Sequence, residues 1–315
     1  MKKIKKVILI ILGILIISLC LIYINHRIQL KKESELLMPP GQLVEVDGHN
    51  MSIYSEGTGD QTLIFMSGGG TCSPIFDFKS LYSLLNDKYR VVVVEKFGYG
   101  FSDIVDQERD ISSILDNTRT ALKSAGIEAP YILCPHSMSG IEALYWAQQY
   151  PEEISAIIGL DMSVPQAYEN YKVKLPLLKL AGFAANIGIT RIIPGLAESD
   201  AIKHGTLTDE EKEIYRAIFY NRTATPTMIN EAANIKENAR IVAVNEVPQI
   251  PILLFTSDGD GTGYEKETWQ NFQRNYVEKV EGGIIIELDC PHYVHDYEYE
   301  LISKKIIEFI SNKCE

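Results

Sequence analysis

A serine with the surroundings of a catalytic nucleophile lies in the stretch "ILCPHSMSGIEALYW", residues 132–146. The apolar start of this stretch predicts a buried strand, and its second half predicts a helix that begins near Ser139. Ser137 stands at the change between them, where a sharp turn would expose its hydroxyl beside the first N–H groups of the helix. Such N–H groups favour developing negative charge, which makes Ser137 a candidate nucleophile. The alternative is a buried serine that caps the helix.

Two further segments carry the partners that a serine nucleophile needs. In "ELDCPHYVH", His292 follows an apolar stretch and is the predicted general base, with His295 as the competing candidate. In "FMSGGGTCSP", three consecutive glycines allow a close backbone approach and present unobstructed N–H groups. We expect the N–H groups of Gly69 and Met138 to bind an oxyanion, although a tight loop without function would contain the same glycines.

The orienting carboxylate has three candidates. Asp258 and Asp260 lie in "PILLFTSDGDGTG", directly after an apolar run, and Asp161 ends the earlier run "AIIGLD". An Asx-turn accounts for the first two equally well. The same stretch resembles the start of a calcium-binding loop, but the twelfth position counted from Asp258 holds Trp269 where that loop needs glutamate. Neither a metal nor an organic cofactor is therefore predicted.

Alternating strand and helix signals predict how these residues come together. Helical stretches separate the predicted strands "TLIFMS", "RVVVVEK", "YILCP", "SAIIGLD", "PILLFTS" and "GIIIEL", and "LVEVDG" and "MSIYSEG" before them predict a hairpin. This pattern predicts a doubly wound α/β fold with a mostly parallel, eight-stranded sheet. Ligands bind beyond the carboxyl ends of such strands, where all the candidates lie. Residues 165–247 interrupt the alternation with helical sequence and predict an inserted cap.

Four segments resemble the α/β-hydrolase superfamily, and the resemblance covers residues 42–312. "TLIFMSGGG" is similar to the family's strand followed by His-Gly-x-Gly, with Ser67 in place of histidine. "VVVEKFGYGFSD" is similar to its Asp-Arg-x-Gly-x-Gly-x-Ser segment, with Glu95 and Lys96 as conservative departures. "PHSMSG" resembles its Gly-His-Ser-Met-Gly-Gly elbow, with Pro135 and Ser139 replacing glycines, and "CPHYVH" resembles its Gly-His loop.

By position, the resemblance implies Ser137 as the nucleophile and His292 as the base. It implies the N–H groups of Gly69 and Met138 as the oxyanion donors. It implies Asp260 as the acid, three residues after the small residue Ser257 that ends a strand. Members of the superfamily that take the acid from the earlier strand would use Asp161 instead.

The activity that the resemblance implies is hydrolysis of a carboxylic ester or lipid through an acyl-enzyme. A serine at position 137 argues against the dehalogenases and epoxide hydrolases of the superfamily, which use aspartate as nucleophile. An aminopeptidase or acyltransferase of the same fold stays open. So does a catalytically silent protein that only binds a ligand, because fold does not fix function. The expected partner is a small molecule with an acyl group.

The N-terminal segment differs in composition from the rest of the chain. Residues 1–32 carry seven Lys and Arg and no acidic residue, and residues 7–24 form an unbroken apolar run. A run of about 20 residues is needed to cross the hydrocarbon of a membrane, and the lysines before it favour an inside N-terminus. We expect a single-pass protein of the cell membrane with its catalytic part outside the cytoplasm. The alternative is a cleaved signal peptide and a secreted protein.

This reasoning predicts a division of the chain into an anchor, a linker, a hydrolase core in two pieces and a cap between those pieces. The anchor covers residues 1–30 and the linker residues 31–42. The core covers residues 43–164 and 248–315, and the cap covers residues 165–247. The oligomeric state cannot be predicted from these features.

Charge and cysteine usage limit the other partners. Seven of the 30 Lys and Arg lie in residues 1–32, which leaves 23 against 42 Asp and Glu and a formal charge of −19. Such a surface repels nucleic acid and anionic lipid, so neither is an expected partner of the catalytic part. The cysteines beyond the anchor have no CxxC spacing and are predicted to be free thiols, at Cys72, Cys134, Cys290 and Cys314. A cluster of the first three near the active site is the competing hypothesis.

Overall fold

The computed structural model describes residues 2–313, which form one sheet flanked by helices and preceded by a long N-terminal helix. Its strands are β1 (Gln42–Val46), β2 (His49–Glu56), β3 (Thr62–Met66), β4 (Arg90–Glu95), β5 (Tyr131–Pro135), β6 (Ile154–Leu160), β7 (Ile252–Thr256) and β8 (Ile284–Glu287). They are ordered β1-β2-β4-β3-β5-β6-β7-β8. Only the pairs β1–β2 and β2–β4 are antiparallel. The predicted eight-stranded, mostly parallel α/β sheet is confirmed.

The apolar runs form strands because both faces of the sheet are covered. Every residue of β3, β5 and β7 is buried, and two apolar clusters incorporate alternate residues of the central strands. The β1–β2 hairpin turns through Asp47 and Gly48, which have φ angles of 51° and 77°. Two successive residues with positive φ match the twist of the flanking strands, and glycine and aspartate tolerate that conformation.

Helices cover the sheet and precede or follow its strands as the apolar spacing predicts. The helices of the core are α2 (Pro74–Asp77), α3 (Lys79–Tyr82), α4 (Ile111–Ser124), α5 (Ser139–Gln149), α10 (Lys266–Val277), α11 (Val294–Tyr297) and α12 (Tyr299–Lys313). The remaining α-helices, α1 and α6 to α9, lie outside the core and are described below. The first residue of α4 follows Asp110, whose carboxylate accepts a hydrogen bond from the Ser113 N–H at 3.0 Å. This cap satisfies one of the free N–H groups at the start of the helix.

The segment between β6 and β7, residues 165–247, contains helices and no strand, and we call it the cap. Its α-helices are α6 (Leu175–Asn186), α7 (Asp200–Lys203), α8 (Asp209–Arg222) and α9 (Pro226–Ala243), and its 3-10 helices are Pro165–Tyr168 and Ile189–Ile192. A buried ion cluster joins α9 to the core. Lys96 binds Glu142 of α5 and Glu231 of α9, and the Tyr99 hydroxyl donates to Glu231 at 2.9 Å.

The N-terminal helix α1 (Lys2–Glu33) is about 48 Å long at 1.5 Å per residue. It extends three residues beyond the predicted anchor boundary at residue 30. Among the described residues it is the one helix long and apolar enough to cross a membrane, and a signal sequence has the same properties. Its apolar run is exposed, whereas His26 near its C-terminal end is buried.

Candidate active site

Ser137 occupies a strained turn between β5 and α5. Its φ angle is 54°, in the left-handed region that non-glycine residues seldom adopt. The turn is crowded: a Cβ atom added to Gly68 would lie 2.7 Å from the Ser137 Cβ, and one added to Gly140 would lie 2.2 Å from the Ser163 carbonyl oxygen. A strained serine between a strand and a helix is the geometry of a nucleophile elbow.

The two departures from the glycine pattern fit this elbow. Ser139 is fully buried, and its hydroxyl donates to the carbonyl oxygens of Met66 and His136 at 2.7 and 2.9 Å. Ser139 therefore satisfies its own hydroxyl and joins β3 to the turn. Pro135 has no N–H, but the main-chain hydrogen bond to the Met66 carbonyl comes from the next residue, His136, at 2.9 Å.

A hydrogen-bond chain connects Ser137 to a histidine and a carboxylate. The Ser137 Oγ and the His292 Nε2 are 2.8 Å apart, and the His292 Nδ1 lies 2.5 Å from the Asp161 Oδ2. An ionised carboxylate only accepts hydrogen bonds, so Nδ1 carries the proton and Nε2 presents its lone pair to the serine hydroxyl. This tautomer is the one in which an imidazole can remove a proton from serine.

Asp161 is completely buried directly after β6, with a φ angle of 50°. Its Oδ1 accepts hydrogen bonds from the Ser257 N–H at 2.7 Å, the Trp269 Nε1 at 2.7 Å and the Gln273 Nε2 at 3.2 Å. These three donors fix the carboxylate and leave Oδ2 facing His292. The sequence reasoning missed Trp269 and Gln273 because no motif marks two donors on a helix distant in sequence from Asp161.

Asp260, the predicted acid, does not reach His292 through its side chain, and the carboxylate beside His292 is that of Asp161. Gly259 and Gly261, both with a φ angle of 88°, turn the loop so that Asp260 is exposed. Its carbonyl oxygen instead accepts the His292 N–H at 2.9 Å. Asp258 forms the expected Asx-turn, in which its Oδ1 accepts the Asp260 N–H at 2.9 Å.

His295, the competing candidate for the base, lies away from the Ser137 hydroxyl. It is fully buried in α11, and neither ring nitrogen has a hydrogen-bond partner among residues 2–313. Its ring packs against Phe78 and His136, with centroids 4.7 and 4.8 Å away. Of the two histidines in this loop, His292 is the one that meets Ser137.

The three-glycine loop lies against the elbow, as predicted. A Cβ atom on Gly69 would lie 2.8 Å from the Met138 Cε, and the Gly70 N–H is held by the Tyr99 hydroxyl at 3.4 Å. Within the described part of the chain, the N–H groups of Gly69 and Met138 have no hydrogen-bond acceptor. Both residues line the cavity that contains Ser137, so their N–H groups are available to a ligand.

The cavity above Ser137 encloses about 450 Å³ between the core and the cap. Its lining is mostly apolar and aromatic, including Tyr168, Tyr171, Leu178, Met228, Ile229, Ile235, Tyr264 and Trp269. Over residues 2–313, no group of three or more His, Cys, Asp or Glu side chains is arranged to hold a metal ion.

The cysteines in the described residues are free. Cys72, Cys134 and Cys290 are buried and unpaired, as predicted, and Cys20 is exposed on α1. Burial raises the pKa of the Cys72 thiol to about 12, since a thiolate would be poorly solvated there. Cys314 lies outside the described residues.

Comparison with known proteins assigns the family. Residues 61–186 match the family model described as the alpha/beta hydrolase fold. The chain is 37% identical to the uncharacterised protein YbdG of Bacillus subtilis (strain 168) over 98% of this chain and 97% of the relative. An epoxide hydrolase from Vigna radiata superimposes with a TM-score of 0.67 at 19% identity, covering 86% of this chain and 97% of that one. For an enol-lactonase from Burkholderia xenovorans LB400 the TM-score is 0.63 at 15% identity, covering 86% and 100%.

The family match, the full-length relative and the shared fold agree with the strand order and the serine elbow. The chain belongs to the α/β-hydrolase fold family.

Proposed function

We propose that the protein is a serine hydrolase that cleaves an ester-like substrate through an acyl-enzyme. The observation that carries this proposal is the hydrogen-bond chain from the Asp161 Oδ2 through His292 to the Ser137 Oγ. A serine at the elbow favours this chemistry over epoxide or haloalkane opening, which uses an aspartate nucleophile in this superfamily.

In the first half-reaction His292 takes the Ser137 proton while the Oγ attacks the ester carbonyl. Asp161 stabilises the imidazolium that forms, and the N–H groups of Gly69 and Met138 bind the oxyanion. Collapse of the tetrahedral intermediate expels the alcohol, which receives the proton from His292. In the second half water attacks the acyl-enzyme, its proton passes to His292 and then to Ser137, and the acid is released.

The cavity supports an apolar acyl group as the substrate's main recognition element. Aliphatic and aromatic side chains from the cap face Ser137 across it, and none of the residues within 2–313 that line it is Lys, Arg, Asp or Glu. Burial of each methylene contributes about 0.8 kcal/mol, so chain length should set the rate until the cavity is full. An aminopeptidase would need an acidic group for the substrate amine, and the described lining offers none.

The test is hydrolysis of p-nitrophenyl esters from acetate to palmitate by wild type and Ser137→Ala. We expect wild-type activity with an optimum at intermediate chain length. The serine variant, purified identically to control for contaminating esterase, should lose about 10⁶-fold in kcat. Wild-type inactivity on every ester, or an active Ser137→Ala, would contradict the proposal.

We further propose that α1 is retained as a membrane anchor. Arg191 of the cap donates to the Glu33 carboxylate at 2.7 and 2.5 Å and to the His26 Nδ1 at 2.8 Å. A cleaved signal peptide would have no use for such contacts with the mature fold. The intact mass of the protein from the membrane fraction should include residues 1–33. A shorter chain in the medium would contradict retention.

A further inference from the structure

The cap carries an apolar outer surface that the protein does not cover. On α6, Leu177, Leu180 and Phe183 are 59%, 61% and 62% exposed, and their spacing puts them on one side of the helix. The 3-10 helix that packs against α6 adds exposed Ile192, and Ile193 follows it. We call these five residues the cap face. Contiguous exposed apolar patches mark interaction sites.

The charge around the cap face is opposite to that of the chain as a whole. Residues 170–197 contain Lys172, Lys174, Lys179 and Arg191 and no Asp or Glu, in a chain with a net charge of −12. All three lysines are exposed. Arg191 is paired with Glu33, so the exposed positive charge beside the cap face comes from the three lysines. Apolar residues next to exposed lysines suit the boundary between acyl chains and anionic headgroups. The repulsion of anionic lipid expected from the average charge therefore does not extend to this surface.

The position of α1 identifies the occupant of the cap face. Arg191, which binds both Glu33 and His26, is directly followed by Ile192 of the cap face. Gly188 closes on His26 so tightly that an added Cβ would lie 2.4 Å from the His26 Cβ. His26 lies two residues, about 3 Å along the helix, beyond the apolar run of α1. The headgroup layer is roughly 5–8 Å thick on each side of a bilayer. If α1 crosses a membrane, the contacts between the cap and α1 therefore lie at the depth of the lipid headgroups.

We propose that the cap face docks on the anionic surface of the membrane that α1 crosses. The proposed hydrolase activity then acquires a substrate class, which is an amphiphilic acyl ester dissolved in that membrane. Leu178 lines the catalytic cavity, whereas its neighbours Leu177 and Leu180 point outward. Residues of one helix, α6, thus contact both the cavity and the surface proposed to face the lipid.

Docking can be measured without any turnover. The full chain, with Cys20→Ser and Cys314→Ser so that neither residue competes for the reagent, receives an environment-sensitive nitrobenzoxadiazole label at Leu180→Cys. The control label is placed at Ile284→Cys, an exposed isoleucine that begins β8 and so lies at the sheet edge opposite the cap. Both are reconstituted into phosphatidylglycerol vesicles whose acyl chains are brominated.

We expect bromine to quench the label at position 180 at least threefold more than the label at position 284. Equal quenching at the two positions would overturn the proposal. So would a blue-shifted label at position 180 that bromine does not quench, because it would assign the cap face to a protein contact. Replacing Lys172, Lys174 and Lys179 together by Gln should reduce the quenching at position 180. Unchanged quenching would overturn the role of the anionic headgroups.

A second measurement links docking to substrate supply. Leu180→Ser with Phe183→Ser should lower hydrolysis of a long-chain ester embedded in vesicles about tenfold and leave soluble p-nitrophenyl butyrate unaffected, since neither side chain lines the cavity. Equal loss on both esters would overturn lipid-phase supply. If wild type cleaved neither ester, the proposed function would fail, while the quenching result would still decide the docking.

Discussion

The carboxylate of Asp161 is held by several hydrogen bonds in addition to the one that joins it to His292. One oxygen accepts three hydrogen bonds, from the main chain of Ser257 and from Trp269 and Gln273 of α10, and the other oxygen contacts only the imidazole. Rigid orientation of this kind holds a base in one tautomer, which is what a proton transfer from serine requires. The position of the Asp161 carboxylate therefore depends on α10 as much as on the strand that Asp161 follows.

This arrangement predicts different effects for substitutions of Asp161 and Asp260, the two main candidates for the carboxylate that orients His292. Asp161→Asn should reduce kcat by about 10⁴-fold, because an amide in this position favours the wrong tautomer of His292. Asp260→Asn should change kcat little, since Asp260 contacts His292 through its carbonyl oxygen, which the substitution keeps. Ester hydrolysis by the two variants, side by side, is the measurement. The reverse ranking would restore Asp260 as the acid.

The sequence predicted that Ser137, His292 and the glycine loop lie at one sheet edge because each follows a strand, and the structure brings them together there. The sequence did not decide which carboxylate faces His292, since side-chain direction after β7 depends on two glycines with positive φ that only the folded loop reveals. Asp161 was a candidate from its place at a strand end and from the resemblance alone. Two of the three donors that hold it come from α10, more than 100 positions further along the chain.

At the scale of elements, the glycine loop and the elbow are packed too closely for side chains. The Cβ of an alanine at position 68 would meet the Ser137 Cβ at 2.7 Å, whereas at position 69 it would meet the flexible end of Met138 at 2.8 Å. We therefore expect Gly68→Ala to lower kcat about 100-fold, comparable to loss of an oxyanion donor, and Gly69→Ala to lower it less than tenfold. Wild-type activity in Gly68→Ala would contradict this packing.

A second contact between elements connects the cap to the core through charge. Lys96 forms ion pairs with two buried carboxylates, Glu142 and Glu231, and Tyr99 extends from the same cluster to the glycine loop. Burial alone would lower the pKa of Lys96, but the two carboxylates raise it above its usual value. The lysine is therefore charged in the folded protein at neutral pH, and the cluster forms a bridge from α9 to the glycine loop.

Removal of this cation should destabilise the protein. Lys96→Met leaves two buried carboxylates without a cation and should cost about 3–5 kcal/mol of unfolding free energy. Adding Glu142→Gln and Glu231→Gln should recover part of the loss, because no charge then needs compensation. Urea denaturation at neutral pH compares the three proteins. A Lys96→Met variant as stable as wild type would show that the cluster contributes nothing.

For the whole molecule, buried histidines predict how stability responds to acid. Burial, and the nearby His292, lower the pKa of His295 from its usual 6.5 to about 3. Burial likewise lowers the pKa of His136. The folded state then binds protons more weakly than the unfolded state. The contribution of these groups to stability is thus complete above about pH 6.5 and is lost as the pH falls toward 3.

His295 should therefore cost about 2 kcal/mol of stability between pH 6.5 and pH 5. His295→Leu should therefore show a smaller fall in melting temperature over this range than wild type, whatever its stability at neutral pH. His204→Leu, at an exposed position, serves as the control and should keep the wild-type pH response. Identical pH responses in all three proteins would mean that His295 is not held neutral by burial.

Average properties of the sequence predicted the fold of the whole molecule better than they predicted the local charge and polarity of its surface. Alternating strand and helix signals were sufficient for the sheet, because parallel strands buried on both faces read as continuous apolar runs. Net charge predicted repulsion of anionic lipid, yet the cap between residues 170 and 197 is locally basic and apolar. Local surface chemistry of this kind becomes interpretable only when α1 and the cap are placed side by side.

The most direct test of the account is covalent labelling by a fluorophosphonate, followed by intact-mass and peptide analysis. We predict stoichiometric modification of wild type at Ser137 and none in Ser137→Ala. His292→Ala should react far more slowly, because the base that activates the Oγ is missing. An unlabelled wild-type protein, or a label on any other serine, would contradict the assignment of Ser137 as the nucleophile.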